Sequence, residues 1–234
     1  MFAIFKRELS SYFSSPVGYV VAALFTAFCG IFFYVQCLYT GTSNMYTVFQ
    51  SMFFIVLFVI PLITMRLFAE DKKNKTDQAL LTAPVNIPSI VIAKFLSALV
   101  MLLICLSVYI VEGIILSFIG SPDWSLIFGS IIAMVLMGSS FIAIGCLVSS
   151  LTENITVAAI FSFGINLIIS FIDSIASTIQ WDWLKNILNA ISFQTRYGNF
   201  TMGIVSFSDI VFFISVTCLF LFFTDRVIER KRWA

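Results

Sequence analysis

Long apolar runs organise this chain, and the short islands between them carry almost all of its charge. A bilayer core is crossed by about 20 apolar residues as helix, and a helix satisfies its own backbone polar groups there. The candidate spans are Val17 to Tyr39, Tyr46 to Met65, Ile90 to Phe118, Ser125 to Ser149, Ile155 to Ile172, and one around Ile210 to Thr224. The last counts 15 residues between Asp209 and Asp225, so it recruits Val205 to Ser208 to gain length. The predicted fold class is an all-α integral membrane protein, a single domain over 1–234 with six transmembrane helices.

Composition supports this and narrows the chemistry. Charged residues make up 11% of the chain, against roughly 25% in a soluble domain, so no segment forms a separate soluble catalytic domain. There is no histidine, which removes histidine catalysis, histidine metal ligation and histidine-ligated haem. Cys29, Cys37, Cys105, Cys146 and Cys218 stand alone in apolar runs and read as small buried hydrophobes. A net charge of +1 creates no field that would draw nucleic acid.

The positions of the basic residues predict orientation. Lys6 and Arg7 precede the first span, Arg66, Lys72, Lys73, Lys75 and Lys94 flank the gap between the second and third, and Arg226, Arg230, Lys231 and Arg232 end the chain. With six helices these share one side, which the positive-inside rule makes cytoplasmic, leaving Lys185 and Arg196 outside. Both termini are then cytoplasmic. The first span is longer than a signal-peptide core and lacks a small residue before Cys29, so it reads as a retained anchor.

Three segments lie outside the spans and before the tail at 225–234. In residues 1–15, Phe2, Phe5, Leu9, Tyr12 and Phe13 recur at helical spacing, with Lys6, Arg7, Glu8, Ser10 and Ser11 on the other face. This predicts an amphipathic helix in the membrane interface; a frayed polar lead-in is the alternative. The connection 66–88 is the longest cytoplasmic one. Thr76 would cap a short helix over Asp77 to Thr82, and the adjacent Leu80 and Leu81 favour a partner surface over a loop facing only water. In the external segment 174–204, Leu184, Ile187, Leu188 and Ile191 follow helical spacing, and Trp181 and Trp183 suit an interfacial belt.

Within the spans, Pro61 should kink the second helix, because it cannot donate to the carbonyl of Leu57. Glu112 is an acid inside an apolar run, and two readings stay open: a functional group on a pathway, or a hydrogen bond to a neighbouring helix. The fourth span carries Gly129, Ala133, Gly138, Ser139, Gly145 and Ser149, which permit close helix packing. No Walker-type loop is present: the glycines five apart, Gly198 and Gly203, are followed by Ile204 and Val205.

Phe5-Lys6-Arg7-Glu8-Leu9 with Tyr12-Phe13, Ser15-Pro16 and Tyr19-Val20-Val21 resembles the opening of type-2 ATP-binding-cassette (ABC) transporter permeases, especially the bacterial gliding-motility-type subgroup. Pro61 to Glu70 followed by Leu80 to Val85 resembles that family's second span and coupling region, and Asp225 to Trp233 its C-terminal ending. The family usually shows Gly-Thr and an acidic residue two places on, where this chain has Lys75-Thr76 and Gln78.

The resemblance implies a non-catalytic permease subunit of the bacterial cytoplasmic membrane that binds no cofactor itself. Two permeases, identical or related, would assemble with two copies of a cytoplasmic ATPase that carries ATP and Mg. Lys75, Thr76, Asp77, Gln78, Leu80 and Leu81, with the interfacial helix, would receive the ATPase movement. The alternatives are an autonomous secondary transporter or channel, and a mechanical or scaffold subunit driven by the ATPase without cargo.

Overall fold

The computed structural model describes residues 1–76, 86–178, 181, 183, 185, 188, 191–204 and 206–232. Among them every regular element is helical: α1 (Phe2–Ser14), α2 (Pro16–Phe33) continued by a π-helical segment (Tyr34–Leu38), α3 (Tyr46–Thr64), α4 (Arg66–Lys73), α5 (Ile87–Leu106), α6 (Val108–Ile119), α7 (Trp124–Leu151), α8 (Ile155–Ser170), α9 (Ile172–Thr178), α10 (Phe193–Thr201) and α11 (Phe207–Arg232). Five helical stretches among the described residues are long and apolar enough to cross a membrane: Pro16–Leu38, Tyr46–Lys73, Ile87–Ile119, Trp124–Leu151 and Phe207–Arg230. Ile155–Ser170 is a shorter apolar helix.

Local chemistry sets the helix starts. Ser15 is extended, as a residue before proline prefers, and Pro16 opens α2 in the first turn, where its missing N–H costs nothing. Asp123 caps α7 by accepting from the amides of Ser125 and Leu126, and Asn154 caps α8 through Thr156 and Val157. Ser192 caps α10 through the amide of Thr195.

Helix α7 is the hub of the bundle, packed against α3, α4, α5, α6, α8, α10 and α11. The small residues noted in its sequence make this close packing feasible. A Cβ on Gly138 would stand 2.4 Å from Leu102 Cδ2, and one on Gly145 would stand 2.2 Å from Thr64 Oγ1 and 2.7 Å from Thr64 Cβ. Around α7 the core gathers Phe49, Phe53, Met101, Leu102, Phe141, Tyr197 and Phe213. Helices α2 and α11 are peripheral and leave apolar side chains such as Ile31, Phe207 and Phe222 exposed.

Several boundaries differ from the sequence expectation. Helix resumes after Met65 and runs to Lys73, burying Leu67, Phe68 and Ala69, so the segment beginning at Arg66 starts as a packed extension of the second span. Helix α3 continues through Pro61 to Thr64, and the Met65 amide bonds the Pro61 carbonyl at 2.9 Å. The third apolar run is interrupted at Ser107, and the last helix continues unbroken from Phe207 to Arg232, through most of the expected tail.

A charged joint as candidate functional site

The first helix, the α3–α4 extension, the start of α5 and the end of α7 converge at one end of the bundle, where the start of α5 also faces Asp225, Arg226 and Glu229 of α11. Its centre is Lys94, on the second turn of α5 and only 1% exposed. Its Nζ lies 2.5 Å from Asp71 Oδ2 and 3.1 Å from Glu8 Oε1, and it also donates to the Leu67 carbonyl. The cation sits 5.1 Å from the centre of the Phe68 ring. Arg7 joins from the surface, with Nη2 2.5 Å from Glu8 Oε1 and 3.4 Å from Asp71 Oδ2. Burial disfavours the Arg7 charge, but bonding to Glu8 and then Asp71 outweighs it and raises the guanidinium pKa above its ordinary value.

Two cations and two carboxylates therefore neutralise one another across three elements that are distant in sequence. A buried lysine is costly unless paired and hydrogen-bonded, and this requirement explains the placement of Glu8. Expected on the polar face of α1, Glu8 turns inward beside Ile4, Phe5, Leu9 and Tyr12, while Lys6, Arg7, Ser10 and Ser11 stay outside. Phe2 lies at the exposed tip, 76% accessible, and Phe13 is also exposed.

The joint is braced on both sides. Tyr12 donates its hydroxyl to the Ile63 carbonyl at 2.7 Å, and Arg66 reaches Ser15 Oγ at 2.9 Å while gripping Glu70 with two bonds of 2.7 and 2.8 Å. Gly18 permits the tight corner between α1 and α2, because a Cβ there would stand 2.3 Å from the Tyr12 carbonyl oxygen. Ser149 of α7 serves the break at Met65. Its Oγ donates to the Met65 carbonyl and accepts from the amides of Phe68 and Ala69, each at 3.1 Å, so it caps α4 from another helix. Lys72 donates to the Ser150 carbonyl.

Lys75 and Thr76 complete the C-terminus of α4. Lys75 adopts a left-handed φ of 56°, its amide bonds the Lys72 carbonyl at 3.0 Å, and the Thr76 amide returns to the Asp71 carbonyl at 2.9 Å. These two bonds form a Schellman ending, whose left-handed position ordinarily favours glycine. Thr76 Oγ1 also donates to Asp71 Oδ1 at 2.8 Å, so the ending is tied to the residue that pairs with Lys94. Thr76 thus finishes α4. The expected coupling residues Asp77, Gln78, Leu80 and Leu81 lie outside the described residues.

The other singled-out positions lie away from this joint. Glu112 on α6 is buried and accepts from Cys29 Sγ of α2 at 3.3 Å, an interhelical bond, while its Oε1 has no partner among the described residues. It is 18 residues beyond Lys94, roughly 27 Å at about 1.5 Å per residue of helix. Trp181 and Trp183 are exposed, Leu188 is half-buried, and Leu184 lies outside the described residues.

Among the described residues of the segment expected to be external, the well-packed helix is α10, which the sequence reading missed. Phe193, Tyr197, Phe200 and Thr201 are buried at spacings of four, three and one, a helical stripe that was visible in sequence. Tyr197 donates to the Phe49 carbonyl at 2.9 Å, and Arg196 pairs with the buried Asp209 at 2.5 Å while lying 4.3 Å over the Phe212 ring. Lys94 was also missed as an interior residue, having been counted among the loop-flanking cations.

A bundle of long apolar helices with a charged joint at one end defines a multipass membrane protein. The chain belongs to the ABC-2 family transporter proteins, whose sequence profile matches residues 2–231. It is therefore a transmembrane subunit of the ABC transporter class, from a family whose members are not themselves catalytic. No curated protein matches it in sequence.

Proposed function

We propose that this chain is the permease subunit of an ABC exporter in the bacterial cytoplasmic membrane, with six spans and both termini cytoplasmic. It would work with a second permease, identical or related, and with two cytoplasmic ATPases that bind ATP and Mg. The observation that carries the reading is the Lys94 joint. It ties the interfacial helix, the α4 extension and the third span into one unit, immediately before the segment expected to meet the ATPase. A push on α4 reaches α1 through Asp71, Lys94 and Glu8, and reaches α7 through Ser149 and Lys72. Movement of the spans would then change access to a path at the interface between permeases.

The test is purification from native membrane in mild detergent, identification of the co-purifying chains, and an ATPase assay. A stoichiometric P-loop ATPase is expected, and charged residues at Leu80 and Leu81 should release it while membrane insertion persists. Purified chain that transports alone in liposomes, with no ATPase in the preparation, would overturn the reading.

One observation favours an autonomous carrier instead, namely the buried Glu112 with one carboxyl oxygen unpartnered among the described residues. Loss of ATPase-independent transport in Glu112→Gln would support it. A mechanical or scaffold role uses the same joint and predicts ATPase association without cargo movement.

A further inference from the structure

Where α2 packs against α6, three titratable side chains meet inside the bundle. Cys29 of α2 is fully buried and donates its thiol to Glu112 Oε2 at 3.3 Å, and Glu112 is itself only 3% exposed. Tyr109, one turn back on α6, is buried close to both groups. Its ring centre lies 4.4 Å from that of Phe49 and 6.1 Å from that of Phe25, so the surroundings are aromatic. The next residue after the acid, Gly113, is so near α7 that a Cβ would stand 3.1 Å from the Trp124 ring. The acid is therefore carried by a closely packed helix.

No cation faces it. Helices α2, α3 and α7 contain no charged residue, and the charged residue of α5 is Lys94, already paired with Asp71 and Glu8 at the far end of that helix. The titratable groups that the surrounding elements do bring here are thiols and phenols. Besides Cys29 and Tyr109 they are Cys37 of α2, which donates to the Asn44 carbonyl, Cys105 of α5, and Tyr197 of α10, which bonds the Phe49 carbonyl.

Neither Glu112 Oε1 nor Tyr109 Oη has a hydrogen-bond partner among the described residues. A carboxylate here would be a buried charge with no counter-ion and one bare oxygen, which is costly. A carboxylic acid is neutral, keeps Oε2 as the acceptor of the thiol and carries its proton on Oε1, with Tyr109 Oη as an unused acceptor in the same cluster.

We propose that Glu112 is a proton-binding site that latches α2 to α6: the neutral acid lets the two helices close, and release of its proton to water accompanies their parting. The parting is confined to this contact, since α2 also packs along α3. The inference stands whether or not an ATPase drives the chain, and its test contains neither ATPase nor cargo.

The experiment places the unaltered chain, with carbon-13 in its glutamate carboxyls, in phosphatidylcholine nanodiscs. Infrared spectra run from about pH 6 to about pH 9, above the ordinary range of glutamate and below that of tyrosine. Glu8, Glu70 and Glu229 are ion-paired and Glu153 is exposed, so a protonated glutamic acid band at the low end belongs to Glu112. Absence of that band overturns the proposal. In parallel, N-ethylmaleimide labelling of Cys29 is followed by peptide mass spectrometry in the same chain and in Glu112→Gln, which keeps the shape of the neutral acid but has no proton to release. Thiol ionisation steepens both curves alike, and the proton released on opening should steepen that of the unaltered chain by up to about tenfold more per pH unit. Equal pH dependence in the two chains overturns the latch. The infrared arm needs no variant, so it decides the proton site even if Glu112→Gln fails to fold.

Discussion

Lys94 and Asp71 meet at 2.5 Å across two helices 23 residues apart in sequence, and Glu8 of the first helix closes on the same ammonium at 3.1 Å. The contact makes the position of α1 depend on that of α4. A charge so enclosed is stable only while its partners stay in place, so the three elements move as one body or the pairing is lost.

Lys94→Met should lower the melting temperature in detergent markedly, because it leaves two inward-facing carboxylates with only the exposed Arg7 as counter-ion. Removing one partner of a buried pair costs about 3–5 kcal/mol. Adding Asp71→Asn to the same chain should recover part of the loss, and an unchanged melting temperature in the single variant would contradict the pairing.

Gly18→Val should loosen the first helix. Its side chain would collide with the Tyr12 carbonyl, a backbone atom that cannot swing aside. In a chain with the exposed Cys218 replaced by serine, a cysteine at the half-buried Leu9 position should then react faster with a water-soluble maleimide. Equal labelling rates with and without the valine would count against the tight corner.

Lys75→Gly should strengthen the end of α4, because glycine adopts the left-handed conformation without the Cβ cost. A gain of about 0.5–1 kcal/mol, net of the greater freedom of glycine in the unfolded chain, would slow exchange of the Thr76 amide proton about two- to fivefold. Faster exchange would show that the ending is held by something other than its backbone conformation.

Gly145→Ala should destabilise the bundle by about 1–3 kcal/mol, the usual cost of overpacking a filled interior. The added methyl meets the β-carbon of the branched Thr64, not the end of a flexible chain. Thr64→Ala should relieve the clash only in part, since the Cβ itself is 2.7 Å away. Thermal melting of the two single variants and the double variant in one detergent checks this.

Much of the bundle was legible because bilayer-length apolar runs leave little choice but helix. The first helix was readable from Phe5, Leu9 and Tyr12 at helical spacing, and the close packing at Gly138 and Gly145 from their small size. The candidate joint was read only in part. Arg7, Lys75 and Thr76 were singled out, but the roles of Glu8 and Lys94 were not. A glutamate beside Lys6 and Arg7 looks solvent-facing when the first helix is considered alone, and a lysine near the start of an apolar run looks able to reach the headgroups.

By itself, then, the sequence determined the membrane class, the helical runs and the family motifs, since those depend on local composition and spacing. Only the tertiary structure decided that Lys94 is interior, that Glu8 turns toward it, that Ser149 caps a helix it does not belong to, and that α10 packs among the spans. Each of these depends on partners distant along the chain, and the inward turn of a charge is favourable only once its counter-ion is already there.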